Sequence, residues 1–425
     1  MNRRHFLKVA AGSAITTLAF NGIAQAQSNN GTPAVLPPSL KERGSILPTR
    51  GNIIRTSLPL NQSIPGMRYR TPYRFGMGGT QIGNIFAAIS DEQAHSILEA
   101  AWDSGVRYFD TSPFYGYGLS EYRLGRFLRS KRPDEYIIST KVGRVLRPTT
   151  KPTANAALWA SPAPFSYEYD FSAAGARRSV EDSLQRLGVP KLDIVYIHDL
   201  SPDNTELPRP WQEHFAQAAK GAMVELSRMR DEGLIRGWGF GINTPNAAVL
   251  AAESDVPTPD IVLLACQYSL LDHAETLHNT FPTLQRKGIS VVVGTPLNDG
   301  FLGGRSRYHF SDNIPPGAIE KRARLAAIAD RFGIDIRTAA LQFAAAPSIV
   351  SAVIPGSRVP GQVRANAESM KVAIPPEFWS TLRREGLIAS DAPVPAQALP
   401  DKPERAVDTP IDVRRPIFRQ TLLRS

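Results

Sequence analysis

The chain has 425 residues, 42% of them hydrophobic and 21% charged, a balance that suits a globular protein with a large core and excludes a fibrous or low-complexity one. Its formal net charge is +10, yet no block of five or more Lys and Arg marks a nucleic-acid tail, and no run of 18 apolar residues marks a membrane span. Cys266 is the single cysteine, which rules out an intrachain disulfide and a cysteine-based metal site and reads as buried filler in the apolar run 261–265.

Residues 1–26 read as an address. Asn2-Arg3-Arg4-His5-Phe6-Leu7-Lys8 resembles the twin-arginine export motif, and a moderately apolar stretch, 9–23, leads to the small-residue site Ala24-Gln25-Ala26. The resemblance implies handling by the twin-arginine export machinery and a periplasmic location for the folded protein, often with a cofactor already bound. Removing Arg3, Arg4 and Lys8 leaves a charge of +7, a mildly basic surface suited to anionic ligands. Residues 27–70 carry six prolines at 33, 37, 38, 48, 59 and 65 without sustained periodicity, and are expected to form an extended arm over the surface of a domain spanning 71–388.

From Tyr73 onward strands and helices alternate. The pattern predicts a strand at 75–80 and a helix at 91–103, then a strand at 106–110 with a helix over 120–129 that Ser120 can cap. A third strand at 135–141 ends on Lys141. Residues 143–170 are too long and irregular for an ordinary connection, and carry Trp159, Phe165, Tyr167 and Tyr169. They are either a lid or pocket wall or an aromatic loop packed on its own domain. The helix 173–187 is followed by a strand at 192–198 that ends on His198, a single helix at 213–232, and a strand at 234–243. The helix 247–252, strand 261–268, helix 274–286 and strand 289–294 come next. Helices at 319–332 and 336–345 precede the eighth strand, 349–354, its helix at 361–370 and an amphipathic piece at 376–384. Residues 389–425 form a proline-rich, charged tail. Eight strands alternating with helices imply a parallel (β/α)8 TIM barrel in the α/β class, with two arms.

In such barrels ligands bind where the strands end. Asp110 closes the second strand and Tyr115 lies five residues on, among glycines. On their own they are equally well a turn cap and a half-buried ring. The stretch Phe109-Asp110-Thr111-Ser112-Pro113-Phe114-Tyr115-Gly116-Tyr117-Gly118-Leu119-Ser120-Glu121 resembles the signature of the aldo-keto reductases, which are NAD(P)-dependent barrels. The resemblance implies a catalytic tetrad of Asp110, Tyr115, Lys141 and His198, drawn from three strand ends. In that scheme Tyr115 exchanges the proton on the substrate oxygen, Lys141 lowers the phenol's pKa from its usual ~10, Asp110 holds Lys141, and His198 orients the oxygen.

No G-x-G-x-x-G follows the first strand, so a Rossmann nucleotide site is absent. By resemblance, Asn243 and Gln267 bind a nicotinamide carboxamide and Tyr268 stacks on its ring, although Tyr268 also reads as a buried barrel aromatic. Thr295, Pro296 and Leu297 match the loop over the pyrophosphate. Ser357, Arg358, Gln362 and Asn366, running into a helix N-terminus, match the adenosine-side contacts. Ala365 stands where a glutamate usually precedes the asparagine, and Gln362 where many members have a basic residue. Arg358 suits a 2′-phosphate, so NADP is favoured slightly over NAD.

Ser-Thr-Lys141-Val-Gly-Arg144, Ile197-His198-Asp199 and Tyr268-Ser-Leu-Leu-Asp272 resemble the branch containing aldose 1-dehydrogenases and pyridoxal 4-dehydrogenase. This implies a small carbonyl or sugar substrate near Arg144, Trp159 and Asp199. No metal and no nucleic-acid partner is expected. Two rivals stand beside this reading: a non-catalytic nucleotide-binding subunit serving a partner, and a lyase or isomerase using Lys141 as a Schiff base.

Overall fold

A computed structural model describes residues 49–151 and 158–396. The stretch 1–26 expected to be an export signal, the first part of the expected arm, residues 152–157 and the expected tail from 397 lie outside the described residues. Eight parallel strands form the barrel: β1 (Met77–Gly78), β2 (Tyr108–Asp110), β3 (Ile137–Val142), β4 (Ile194–His198), β5 (Gly237–Ile242), β6 (Ile261–Ala265), β7 (Ser290–Gly294) and β8 (Val350–Ile354). Each pairs with the next in chain order. The ring closes where Phe75 and Gly78 meet Val353 and Gly356 in parallel bridges.

Period-two alternation sorts the side chains. Tyr108, Ile137, Ile194, Tyr196, Ile261, Leu263 and Val292 fill the interior. Their neighbours, such as Phe109, Ile138, Val195 and Leu264, join a larger core against the helices. In β5 the run Gly-Trp-Gly-Phe-Gly-Ile turns Trp238, Phe240 and Ile242 outward and leaves glycines facing inward. A Cβ on Gly241 would lie 3.3 Å from Lys141 Cε, so this glycine makes room for the lysine inside the barrel.

Three expectations need correction. The helix expected at 213–232 is two helices, Trp211–Lys220 and Ala222–Asp231. They break at Gly221 because its backbone docks on the start of the helix Ala173–Leu187, where a Cβ would meet Ala173 N and Phe171 O at 2.8 Å. Ser120 does not cap its helix. Gly118, at φ +95°, takes that position for Leu119–Leu128, and Ser120 Oγ instead accepts from Thr111 Oγ1 and donates to Gly79 O, both at 2.8 Å, linking the residues just past β1 and β2. Residues 143–170 are not irregular throughout, because Arg144–Pro148 pairs antiparallel with Phe165–Tyr169 as a two-stranded ribbon standing on the end of β3.

The described part of the arm runs beneath the N-terminal ends of the strands. Asn52–Ile53 pairs antiparallel with Val372–Ala373. Asn61 Nδ2 donates to Ser351 O and Arg70 Nη1 to Ser348 O, both at 2.6 Å. Arg68 pairs with Asp260 at 3.1 Å, and the Tyr69 ring lies against Gly237 while its carbonyl accepts from Ser290 Oγ.

Candidate active site

The registers Asp110↔Ser139, Lys141↔Tyr196 and His198↔Gly241 bring the ends of β2, β3 and β4 side by side. Lys141 Nζ donates to Asp110 Oδ2 at 2.7 Å and to Thr111 O at 2.8 Å. Ser139 Oγ donates to the other Asp110 oxygen at 2.6 Å. Burial pushes the Asp110 carboxyl up, while Lys141 and Ser139 pull it back. The paired, buried ammonium is a poor candidate for Schiff-base chemistry, which needs a free amine.

The loop after β2 carries Tyr115 over this pair, with Lys141 Nζ 4.6 Å from its ring centroid. The ring is half-buried, and its hydroxyl makes no hydrogen bond among the described residues. Burial, then Asp110 and Asp199, hold the phenol well above its usual value, with Arg144 acting in the opposite sense. Lys141, expected to lower it, is not among the groups that do so here. Asp110 lies so close to the ammonium that the pair presents little net positive charge to the ring, and desolvation wins.

His198 stands edge-on to Tyr115, ring centroids 5.9 Å apart. Its Nδ1 is 3.1 Å from Ser112 Oγ, which also accepts from Phe114 N, and its Nε2 is 3.5 Å from Asp199 Oδ2. Burial first, then Arg144 and Lys141, push its pKa well down, so the imidazole is neutral at neutral pH. The carboxylate beside Nε2 favours the tautomer protonated there, with the Ser112 hydroxyl donating to Nδ1. An N–H donor and a phenol thus lie side by side, the pair of groups that binding and protonating a carbonyl oxygen requires.

An aromatic wall rises beside them. Trp159 packs on Phe114 at 5.3 Å and on Tyr115 at 5.7 Å, and Phe114 on Tyr167 at 5.4 Å. The Trp159 Nε1–H is buried without a hydrogen-bond partner. Arg144 lies over Phe114 at 4.1 Å, pairs with Asp199 at 3.0 Å and donates to Tyr169 OH at 3.1 Å.

On the far side, Gln267 Nε2 donates to the Asn243 backbone O, linking the ends of β5 and β6, while the Asn243 side chain donates to Asp203 Oδ2 at 3.3 Å. Thr295, Pro296 and Leu297 turn away from the end of β7, Thr295 at φ +54°. Asn366 Nδ2 donates to Ser357 Oγ at 3.2 Å, and Arg358 N to Gln362 Oε1 at 2.9 Å, so this quartet gathers where β8 leads into the helix Pro360–Ser369. Arg358 directs its guanidinium at Ile85 O and Ala87 O, both 3.1 Å, holding the loops after β8 and β1 together.

Tyr268 does not belong with them. Its ring is buried and stacked on Phe343 at 5.4 Å, between the sheet and the helices. Tyr268 falls on the same parity as Val262 and Leu264, the outward set of β6, so it joins them in the core against the helices rather than facing the opening.

The residues of the second half-ring fit a dinucleotide. Asn298 Oδ1 and Asp299 Oδ2 are buried without partners in the loop after β7, and the ten-residue helix Pro360–Ser369 opens with no side-chain cap, leaving its N-terminus ready for an anion. Among the described residues no group of three His, Cys, Asp or Glu is placed to hold a metal ion.

Ser139 and Ser112 are functional neighbours that sequence reasoning passed over. Ser139 lies two residues before Lys141 and so shares its inward face, a signal the period of the strand already carried. Asp203 and Asn204, just beyond His198, carried none.

Comparison with known proteins closes the description. Residues 74–385 match the aldo/keto reductase family model. Pyridoxal 4-dehydrogenase of Microbacterium luteolum is 36% identical over 329 residues, covering 74% of this chain and 94% of the relative. D-threo-aldose 1-dehydrogenase of a Pseudomonas species is 33% identical over 323 residues, with 74% and 94% covered. Among solved structures, an aldo/keto reductase from Klebsiella pneumoniae in complex with NADP and acetate superposes with a TM-score of 0.53 at 19% identity, covering 79% of this chain and 97% of that one.

Proposed function

The chain belongs to the aldo/keto reductase family of oxidoreductases, and on that premise we propose that it interconverts a sugar-like hemiacetal or a pyridoxal-like aldehyde with its oxidised or reduced partner. The observation that carries the reading is the convergence of Asp110, Lys141, Tyr115 and His198 at adjacent strand ends. A nicotinamide nucleotide supplies or accepts the hydride when bound. Asn243, Gln267, the turn at Thr295–Leu297 and the Ser357, Arg358, Gln362 and Asn366 group would hold it. NADP is favoured slightly because of Arg358, a group suited to a 2′-phosphate.

The chain's own residues handle the oxygen. His198 Nε2–H orients it, the Tyr115 phenol gives up or takes the proton, Lys141 and Asp110 fix the floor beneath the ring, and Phe114, Trp159 and Tyr167 flank the opening and exclude water. Substrate loss or gain of a hydride is followed at 340 nm, with both nucleotides against aldoses, pyridoxal and simple aldehydes. Turnover with at least one of them is expected. Tyr115→Phe should lower it by a factor of about 10²–10⁴ while nucleotide binding, followed by protein fluorescence, persists. Full activity in that variant removes Tyr115 from the chemistry, and nucleotide binding without turnover by the parent chain favours a regulatory subunit.

The export reading of residues 1–26 is part of the proposal and rests on Arg3-Arg4 and Ala24-Gln25-Ala26 alone. Cleaved, nucleotide-bound protein in a periplasmic fraction is the expected result, and uncleaved protein confined to the cytoplasm would end it.

A further inference from the structure

Asp199, directly after His198, sits in the left-handed region at φ +46°. A non-glycine residue stays there only where its surroundings impose it, and such positions gather at functional sites. Here both backbone groups are fastened. Its N–H donates to Gly241 O at 2.9 Å, and its carbonyl accepts from Asn204 Nδ2 at 2.9 Å. The side chain is equally fixed, with Oδ2 accepting from Arg144 Nη1 at 3.0 Å and lying 3.5 Å from His198 Nε2. Oδ1, by contrast, makes no hydrogen bond among the described residues, and the carboxylate side chain is 20% exposed. An acceptor is thus held rigidly beside the group that orients the reacting oxygen, with half its capacity unused.

The charge around it is also one-sided. Arg144 is buried beneath Phe114 and Tyr169, with Nη1 on Asp199 and Nη2 on Tyr169, so it offers no cation to a ligand. Asp203 adds a second carboxylate, which accepts from Ser201 Oγ, Thr244 Oγ1 and Asn243 Nδ2. This edge of the opening therefore carries two carboxylates against one guanidinium that is already paired.

Resting on the oxidoreductase reading above, we propose that Asp199 determines specificity: its free oxygen accepts a hydrogen bond from a hydroxyl vicinal to the reacting carbon, and its charge turns away anionic carbonyl compounds. The favoured substrates are neutral α-hydroxy aldehydes and the hemiacetals they form. Simple alkyl aldehydes leave the acceptor unpaired, and α-keto or aldehydic carboxylates meet like charge.

Three two-carbon compounds separate the terms: glycolaldehyde has the vicinal hydroxyl, acetaldehyde lacks it, and glyoxylate replaces it with a carboxylate. The parent enzyme should prefer glycolaldehyde to acetaldehyde by at least about 100-fold in kcat/KM, within the roughly 10⁴–10⁵ ceiling of a site built to pair a substrate hydroxyl. Asp199→Ala should shrink that ratio by about tenfold or more. Asp199→Asn keeps an acceptor and the Arg144 contact but loses the charge. It should retain part of the ratio and raise glyoxylate relative to glycolaldehyde by about tenfold. An active enzyme whose two ratios are unmoved in both variants overturns the assignment and leaves the family chemistry standing. A parent chain that turns over no carbonyl compound with either nucleotide removes both.

Discussion

Burial and two carboxylates hold the Tyr115 phenol protonated well beyond neutral pH, and this fixes the sign of a pH effect. The protonated form is the acid needed when a carbonyl is reduced. The reverse reaction needs the deprotonated form, whose population rises about tenfold per pH unit below the pKa. The oxidation rate should therefore climb about tenfold per unit from roughly pH 7 to pH 9, while reduction stays level. Initial rates in both directions over that range check it, and parallel profiles would assign the proton to another group. Lys141 gives a second prediction at this scale. Lys141→Met strands a buried carboxylate at Asp110, a loss of about 3–5 kcal/mol in stability, and Asp110→Asn added to it should recover part of that. Chemical denaturation of the single and double variants measures the difference, and an equally stable single variant would mean that Asp110 finds water. Asp110, Lys141 and His198 stood out in the sequence because the stretch around Asp110 resembles a family signature; each falls at or one residue from a strand's end, but local pattern alone left ordinary structural readings open. The raised pKa of Tyr115 was not legible. It depends on Asp199 and Arg144, 84 and 29 residues away along the chain, and on how fully Asp110 offsets Lys141.

Secondary-structure elements were readable wherever their cause is local. The Ser90 and Ser172 caps announce their helices, and each accepts from a backbone N–H three residues on. The β5 glycines alternate with bulky residues at the period of a strand. Where the cause is distant, the pattern misleads. The ribbon Arg144–Pro148 with Phe165–Tyr169 joins segments whose pairing no local turn signal announces, and its alternation is blurred because both faces are partly covered. The break at Gly221 comes from another helix altogether. Its test is Gly221→Ala, which would drive a Cβ into Ala173 N and Phe171 O. A loss of about 1–3 kcal/mol is expected, because backbone on a packed helix start cannot step aside. Thermal unfolding followed by circular dichroism reads it directly. An unchanged midpoint would show that the two helices can merge as the helical pattern at 213–232 suggests.

At the scale of the molecule, the opening and the closed end of the barrel divide the labour. Asp110, Lys141, His198, Asn243 and Thr295 all lie at the C-terminal ends of strands, while the described arm covers the N-terminal ends. A barrel interior filled from below by Tyr108, Tyr196 and Ile137 needs a seal, and Tyr69 lies against Gly237 with Thr71 bonded to Ser351 beside it. Proline-rich sequence predicts an extended path but not where that path docks, since the partners are spread over β7, β8 and the strand Val372–Ala373. Two truncations separate a seal from an ornament. A chain beginning at Thr49 keeps every described contact and should unfold at the parent's midpoint. One beginning at Tyr73 loses the Asn52–Ile53 pairing, the Asn61 and Arg70 bonds to β8, the Arg68–Asp260 pair and the Tyr69 contact. With each net hydrogen bond worth about 1 kcal/mol, the shorter chain should lose several kcal/mol and bind apolar dye at its exposed lower core. If the chain from Tyr73 unfolds at the same denaturant midpoint as the longer one, the barrel closes its own base and the arm answers to something other than stability.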